Sequence, residues 1–228
     1  MSLRLVVLIS GSGSNLQAIL EACGQVAGRP GEGQTGGPAD SSATMDARVV
    51  GVLSNRDDAY GLTRARQAGV DTAVLAHTGY PDRESFDAAM AEIIDRWQPD
   101  VVVLAGFMRI LSASFVSRYQ GRLLNIHPSL LPKYKGLHTH QRALDAGDLE
   151  HGCSVHFVTP ELDGGPVIAQ AVVDVRPEDT AATLADRVHA AEHRLYPAVL
   201  GWLADGRLRY RDEKPWLDGQ ALVRAARL

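Results

Sequence analysis

An asparagine and a histidine stand two residues apart in the segment LNIHPSLLP, residues 124–132. Alternate residues of a β-strand point to the same face, so we expect Asn125 and His127 to project together while Leu124 faces a core. Pro128 cannot donate to a sheet ladder and predicts the end of the strand. An amide donor beside a titratable imidazole suits the stabilisation of a developing oxyanion. The alternative is a polar strand end that simply meets solvent.

Strands and helices that could position this pair alternate through the N-terminal half. Continuous Val/Ile/Leu runs occur at residues 3–9, 47–53, 71–75, 100–106 and 122–127. Such runs are typical of strands buried on both faces of a parallel sheet. Helical patterns lie between them at residues 61–69, 82–97 and 112–121, the second with Asp82 as its cap. This order predicts an α/β fold: a doubly wound, mostly parallel sheet with helices on both faces.

The pattern changes after residue 150. Residues 152–159 and 166–175 alternate and are joined by PELDGG, which predicts an antiparallel, hairpin-like pair at the sheet edge near the C-terminus. An amphipathic helix is predicted over residues 180–205, and Pro197 inside it predicts a kink or a break. Residues 24–47 are rich in Gly, Pro and Ser and predict a long, flexible loop within a single domain of residues 1–228.

Composition narrows the classes of function. The chain has 228 residues, 45 % of them apolar, and can bury a sizeable core. A net charge of -4 provides no overall basic field for nucleic acid. Two cysteines without a motif, no signal peptide and no membrane span favour a cytoplasmic protein. We expect its partners to be small-molecule substrates rather than nucleic acid or a membrane, and its state to be a monomer or a homodimer.

Two short motifs have both a functional and a structural interpretation. SGSGSN (residues 10–15) follows a strand and opens a helix, where glycines and free amides favour a phosphate. Leu16 stands where a dinucleotide fingerprint needs its third glycine, so a monophosphate is favoured over NAD; a plain turn is the alternative. HAAEH (residues 189–193) matches an inverted zinc-peptidase pattern, but no third ligand is indicated. We therefore predict no metal and keep Glu192 as an isolated acid.

Three further polar residues have weaker signals. Asp163 precedes two glycines, so a turn role is the simplest interpretation. If the fold brings it to His127, its carboxylate would favour the charged imidazole and fix its orientation. His138 and His140 are interpreted as helix-entry residues, because no further ligand cluster lies near them in the sequence.

Several segments in this order resemble one family. They are SGSGSNLQAIL, AGFMRILS, LLNIHPSLLPKYKGLHTHQRAL, GCSVHFVTPELDGGPVIAQ and AEHRLYP. Together they resemble phosphoribosylglycinamide formyltransferase, the folate-dependent glycinamide ribonucleotide transformylase of purine synthesis. The resemblance covers nearly the whole chain apart from residues 24–47. It departs from the family at Ser12, where some members carry Asn, and at Lys135, which replaces a proline.

The resemblance implies a Rossmann-like formyltransferase fold and formyl transfer from 10-formyltetrahydrofolate, a co-substrate, to the amine of glycinamide ribonucleotide. It also implies roles by position. Asn125, His127 and Asp163 are the catalytic trio; Gly13, Ser14, Asn15 and Glu192 bind the ribonucleotide; Arg83, Met108, Arg109, Ile110, Leu111, Asn125, Thr159, Pro160, Glu161, Leu162 and Asp163 contact the folate.

Three alternatives remain at this stage. A methionyl-tRNA formyltransferase is expected to carry a C-terminal RNA-binding domain, for which the tail after residue 205 is too short. A formyltetrahydrofolate hydrolase is expected to carry an N-terminal regulatory domain, whereas the first strand is predicted from Leu3. A non-catalytic nucleotide-binding module could keep SGSGSN, but Asn125, His127 and Asp163 argue against it.

Overall fold

The computed structural model describes residues 1–26 and 44–228. Most of the predicted loop at 24–47 therefore lies outside the described residues. The eleven strands of the described ranges are β1 Leu3–Ile9, β2 Ala47–Ser54, β3 Thr72–Val74, β4 Val101–Leu104, β5 Leu123–His127, β6 Glu150–Phe157, β7 Val167–Asp174, β8 Leu208–Arg211, β9 Lys214–Leu217, β10 Gln220–Ala221 and β11 Ala226–Arg227. The six α-helices there are α1 Ser14–Ala22, α2 Tyr60–Gln67, α3 Arg83–Arg96, α4 Ala113–Arg118, α5 Thr139–Asp145 and α6 Ala181–Ala204, and a 3₁₀ turn spans His77–Gly79.

The main sheet has eight strands in the order β11-β7-β6-β5-β4-β1-β2-β3. Strands β3, β2, β1, β4 and β5 run parallel, whereas β6 is antiparallel to both β5 and β7. The prediction of a mostly parallel sheet with antiparallel strands near the C-terminus is confirmed. The outermost strand at that end is β11, which adds parallel to β7 and was not predicted. A separate three-stranded antiparallel sheet, β10-β9-β8, was also missed.

Helices cover both faces of the sheet because successive strand residues point to opposite sides. In β1, Leu5, Val7 and Ile9 enter one core, formed with α1 and α6. Val6 and Leu8 enter the second core, formed with α3 and α4. All five side chains are fully buried, as the continuous apolar run predicts.

The long helix α6 runs through Pro197 without ending. Thr180 and Thr183 form a capping box at its start, and Leu184, Val188, Leu195 and Val199 are buried as predicted. The alternative of a break at the proline is wrong. Leu203 is only partly buried against the same core.

Helix α3 begins as predicted, since Asp82 accepts a hydrogen bond from the Ser85 amide at 2.7 Å. His138 is the residue before α5, with φ 58°, and His140 is in its first turn. Their interpretation as helix-entry residues is therefore confirmed. No helix in residues 1–26 and 44–228 has the length and apolarity that crossing a membrane requires.

The contact between β2 and Trp97 gives a stability prediction. A Cβ added to Gly51 would lie 2.2 Å from the Trp97 ring, so Gly51→Ala should lower the free energy of unfolding by about 1–3 kcal/mol through overpacking. Gly201 in α6 has no atom within 4 Å of the same added carbon, so Gly201→Ala should instead gain about 0.5–1 kcal/mol from helix propensity. Urea unfolding of both variants checks the opposite signs; equal stability of wild type and Gly51→Ala would contradict this packing.

Candidate active site

The reversal of strand order beside β1 opens a cleft at the carboxyl ends of the parallel strands. In sheets of this kind, ligands bind where neighbouring strands lead off in opposite directions. Here β1 lies between β2 and β4, and the loops after β1, β4 and β5 line a cleft of about 850 Å³. Segments before α5 and after β6, together with α6, complete its wall.

Asn125 and His127 lie in β5 and both line the cleft, as their spacing predicts. The His127 side chain is buried, with Nε2 2.9 Å from the Tyr134 carbonyl oxygen. A carbonyl only accepts, so Nε2 carries a proton. Nδ1 of His127 lies 3.5 Å from Oδ2 of Asp163. Both ring nitrogens thus face oxygens, an arrangement that suits a doubly protonated imidazole.

Asp163 reaches the cleft from the turn between β6 and β7. It has a φ of 47°, in the left-handed region that Asp tolerates better than most residues. Its Oδ2 accepts a hydrogen bond from the Gly136 amide at 2.9 Å, and its side chain is only 8 % exposed. The carboxylate therefore ties the turn to the segment before α5 while facing His127.

His156 holds Asn125 and was missed by the sequence analysis. Nδ1 of His156 donates to the Phe157 carbonyl at 2.9 Å, so its Nε2 is left to accept from Nδ2 of Asn125 at 3.2 Å. Burial lowers the pKa of His156, which keeps the ring neutral and the acceptor available. One Asn125 N–H is thereby committed and the second is left for a ligand.

The loop after β1 and helix α6 form the other end of the cleft. Gly13 has a φ of 69°, and a Cβ there would lie 2.5 Å from the Cα of Gly61, so the close approach of α2 requires glycine. Asn15 donates from Nδ2 to Oε2 of Glu192 at 2.8 Å, and both side chains are buried. Burial raises the pKa of Glu192, the hydrogen bond from Asn15 lowering it by less.

The structure brings most of the predicted site residues to this cleft, but not all. Its lining includes Gly13, Ser14, Asn15, Met108, Arg109, Ile110, Asn125, His127, Leu162, Asp163 and Glu192. Arg83, Leu111, Thr159, Pro160 and Glu161 are not part of the lining. Arg83 starts α3, Leu111 packs against the second core, and Glu161 pairs with Lys135 at 2.7 Å.

Other lining residues were not among the predicted site residues. Ser10, Gly106, Phe107, Leu137 and His189 contribute to the wall. Ser10 belongs to SGSGSN and Phe107 follows the predicted strand at 100–106, so only the fold shows that they share a surface. His138 and His140 also line the cleft in addition to their place at the start of α5.

The HAAEH motif does not form a ligand set. Glu192 is bonded to Asn15, and His189 is exposed at the cleft. Within residues 1–26 and 44–228, the structure contains no group of three or more His, Cys, Asp or Glu side chains that could hold a metal ion.

The cleft at the carboxyl ends of this mostly parallel sheet brings together an amide, an imidazole and a carboxylate. Residues 3–200 match the formyl transferase family, and the chain belongs to that family. The match confirms the prediction of an enzyme that transfers a one-carbon group.

Individual relatives agree with the family. The chain is 54 % identical over 220 residues to phosphoribosylglycinamide formyltransferase of Escherichia coli, covering 96 % of each chain. It is 42 % identical to the Haemophilus influenzae protein of the same name, covering 97 % of each. The solved phosphoribosylglycinamide formyltransferase of Coxiella burnetii, in complex with CHES, superposes with a TM-score of 0.89 at 47 % identity over all of both chains. The resemblance drawn from the sequence is therefore confirmed.

The buried Glu192 gives a pH prediction. The pKa of Glu192 is raised in the folded state. Its contribution to stability is therefore fully present below the pKa that Glu192 has in the unfolded chain, and it is lost as pH rises through the higher pKa of the folded protein. Glu192→Gln keeps an acceptor for Asn15 but cannot ionise. Relative to wild type, this variant should become more stable as pH rises from about 4 to 8. Urea unfolding of both proteins across that range measures the difference; a constant difference would contradict a raised pKa.

Proposed function

We propose that the chain transfers a formyl group from 10-formyltetrahydrofolate to the primary amine of glycinamide ribonucleotide, in the cytoplasmic synthesis of purines. The observation that carries the proposal is the convergence of Asn125, His127 and Asp163 on one wall of a cleft, with the SGSGSN loop at its other end. The identity to enzymes named phosphoribosylglycinamide formyltransferase supports this choice of substrate. We further propose that residues 1–228 act as one domain, as a monomer or homodimer.

The ribonucleotide is proposed to bind at the end formed by Gly13, Ser14, Asn15 and Glu192. Amides at the start of α1 favour a phosphate, since they have no partner within the helix. Oδ1 of Asn15 is buried and has no hydrogen-bond partner among the described residues, which leaves an acceptor for an N–H of the glycinamide. Glu192 accepts the hydrogen bond from Nδ2 of the same Asn15 side chain.

The folate is proposed to lie among the loop between β4 and α4, the segment before α5 and the turn between β6 and β7. Met108, Ile110, Leu137 and Leu162 are each more than half exposed at the cleft and offer apolar surface to a heterocycle. Arg83, Arg109, Leu111, Thr159, Pro160, Glu161 and Asp163 are carried over to this half from the family resemblance. Those that do not line the cleft in this structure would act only if the loops close on the ligand.

The proposed reaction is an acyl transfer through a tetrahedral intermediate. The amine attacks the formyl carbon, a C–N bond forms, and the carbonyl electron pair moves to oxygen. The second N–H of Asn125 and the His127 imidazolium, through Nδ1, donate to this oxyanion. The pair then returns, the bond from carbon to the folate nitrogen breaks, and that nitrogen gains a proton while the amine loses one. Asp163, whose Oδ2 lies 3.5 Å from Nδ1, orients the His127 ring and takes part in this proton exchange.

A single assay tests the proposed reaction. Purified protein is mixed with 10-formyltetrahydrofolate, with and without glycinamide ribonucleotide, and tetrahydrofolate and the formylated product are measured. We expect tetrahydrofolate to form only with the acceptor, in equal amount to the product. Formate release without the acceptor would indicate a hydrolase, and no turnover at all would indicate a nucleotide-binding module.

Variants of the strand pair test the mechanism. His127→Ala and Asn125→Ala should each lower kcat about 100-fold or more, because each removes one oxyanion donor. Circular dichroism should show the wild-type fold. His77→Ala, in the 3₁₀ turn away from the cleft, is the matched control and should keep wild-type turnover. Near-wild-type kcat in either strand variant would remove that residue from the mechanism.

Metal removal separates the proposal from a zinc-dependent reaction. We expect turnover to survive treatment with a chelator, since the proposed oxyanion donors are an amide and an imidazolium. Metal analysis of the purified protein accompanies the assay. Stoichiometric zinc whose removal abolishes turnover would contradict the mechanism and restore HAAEH as a ligand pair.

A further inference from the structure

The loop between β4 and α4, residues 105–112, forms part of the cleft wall. Phe107 and Leu111 contact the second core, whereas the side chains between them are largely exposed. Phe107, Met108, Arg109 and Ile110 line the cleft, but Met108 is 65 % exposed and Ile110 55 % exposed. Side chains this exposed do not fix a backbone by packing. The shape of the loop therefore depends on the polar contacts at its two ends.

The first contact is a two-step hydrogen-bond chain from the neighbouring strands. Oγ of Ser10, just after β1, accepts from the Met108 amide at 2.8 Å and donates to Oδ1 of Asn55, just after β2, at 2.6 Å. A hydroxyl has one proton, so donation to Asn55 turns its lone pairs towards Met108. Ser10 and Asn55 are 8 % and 7 % exposed, which shields both bonds from water.

The second contact comes from helix α3. Oδ2 of Asp87 accepts from the Ser112 amide at 2.6 Å, and the two residues are 2 % and 4 % exposed. Ser112 also caps α4, with Oγ accepting from the Phe115 amide at 3.3 Å. A charge-assisted bond from a buried carboxylate is stronger than a neutral one, so Asp87 fixes both the loop end and the start of α4.

Few other contacts hold the segment between the two: Leu111 packs against the second core, and the Arg109 guanidinium lies 5.9 Å from the centre of the Phe86 ring. In the described part of the chain, the amides of Arg109, Ile110 and Leu111 donate no backbone hydrogen bond to another segment. The hydrogen bonds at Met108 and Ser112 therefore fix the two ends of this segment, together with the packing of Leu111. Neither Asn55 nor Asp87 lines the cleft, so both act on it from behind.

We propose that Asn55 and Asp87 are positioning residues for the donor half of the reaction, holding residues 108–111 in the shape that the folate binds. The inference rests on the proposed function, because it assigns this loop to the folate. For Asp87 it predicts an effect on one substrate only, because Asp87 bonds Ser112 and no residue of the ribonucleotide end. Asn55 also bonds Ser10 of the SGSGSN loop, so the Asp87 variants decide this selectivity.

Steady-state kinetics of four variants test the proposal. Asp87→Ala should raise KM for 10-formyltetrahydrofolate about 10-fold or more, with KM for glycinamide ribonucleotide changed less than about twofold. Asn55→Ala should raise KM for 10-formyltetrahydrofolate by a similar factor. Asp87→Asn keeps an oxygen acceptor for Ser112 and should restore most of the folate KM. Asp95→Ala is the matched control: Asp95 also joins α3 to the α4 region, through Arg118 and Tyr119, but at the far end from the loop.

The control separates positioning from general stability. Asp95→Ala should lower the unfolding midpoint and leave the folate KM unchanged. A folate KM within about twofold of wild type in folded Asp87→Ala overturns the proposal, as does an equal rise in both KM values. If Asn55→Ala fails to fold, the Asp87→Ala and Asp87→Asn pair decides alone.

Calorimetry with tetrahydrofolate keeps this test independent of turnover. Wild type is expected to bind tetrahydrofolate, and Asp87→Ala to bind it about 10-fold more weakly. If wild type binds tetrahydrofolate but transfers no formyl group to glycinamide ribonucleotide, the proposed function fails and the positioning role is still decided by this ratio. If wild type binds no tetrahydrofolate, both proposals fail.

Discussion

The meeting of parallel strand ends beside β1 is the constraint on which the rest of the site depends. Because β2 and β4 flank β1, the polar residues that follow these three strands lie close together. They are buried there and need hydrogen-bond partners. Ser10, Asn55 and the Met108 amide are hydrogen-bonded to one another. Asn125 and His127, one strand further along, instead find partners in the antiparallel strand β6 and in the Tyr134 segment. The side chains of Ser10, Asn125 and His127 at the cleft are therefore held by partners within the protein, whereas the amides of Arg109, Ile110 and Leu111 donate no backbone hydrogen bond to another described segment.

Features that depend on residues close in the sequence could be predicted, whereas features that depend on contacts between distant residues could not. The side-chain period of a strand is local, so Asn125 and His127 could be placed on one face, and β1 to β5 could be placed within a few residues. Helix caps are local too, which explains the success at Asp82 and His138. Asp163 was linked to His127 only through the resemblance, because 36 residues separate them and a turn aspartate has a simpler explanation of its own.

The residues that were missed are those whose role exists only in three dimensions. His156 reads as one more residue of an apolar strand, and its function as acceptor for Asn125 depends on the register of β5 against β6. The roles of Asn55 and Asp87 likewise exist only in the folded chain. Asp87 accepts a hydrogen bond from the Ser112 amide, 25 residues away, and Asn55 acts on the Met108 amide through the Ser10 side chain. The strands β8 to β11 were missed because they are two to four residues long and, apart from β10, carry charges at exposed positions. Their pairing, rather than their composition, defines them.

The ion pair between Lys135 and Glu161 joins the two segments that approach His127 from opposite sides, the one carrying the Tyr134 carbonyl and the one carrying Asp163. Here the restraint is electrostatic and partly exposed, with Lys135 at 36 % and Glu161 at 70 %. It is worth at most about 1 kcal/mol and weakens as dissolved ions screen it. The restraint between these two segments therefore responds to ionic strength, so the dissolved salt around the protein becomes a variable of its loop geometry.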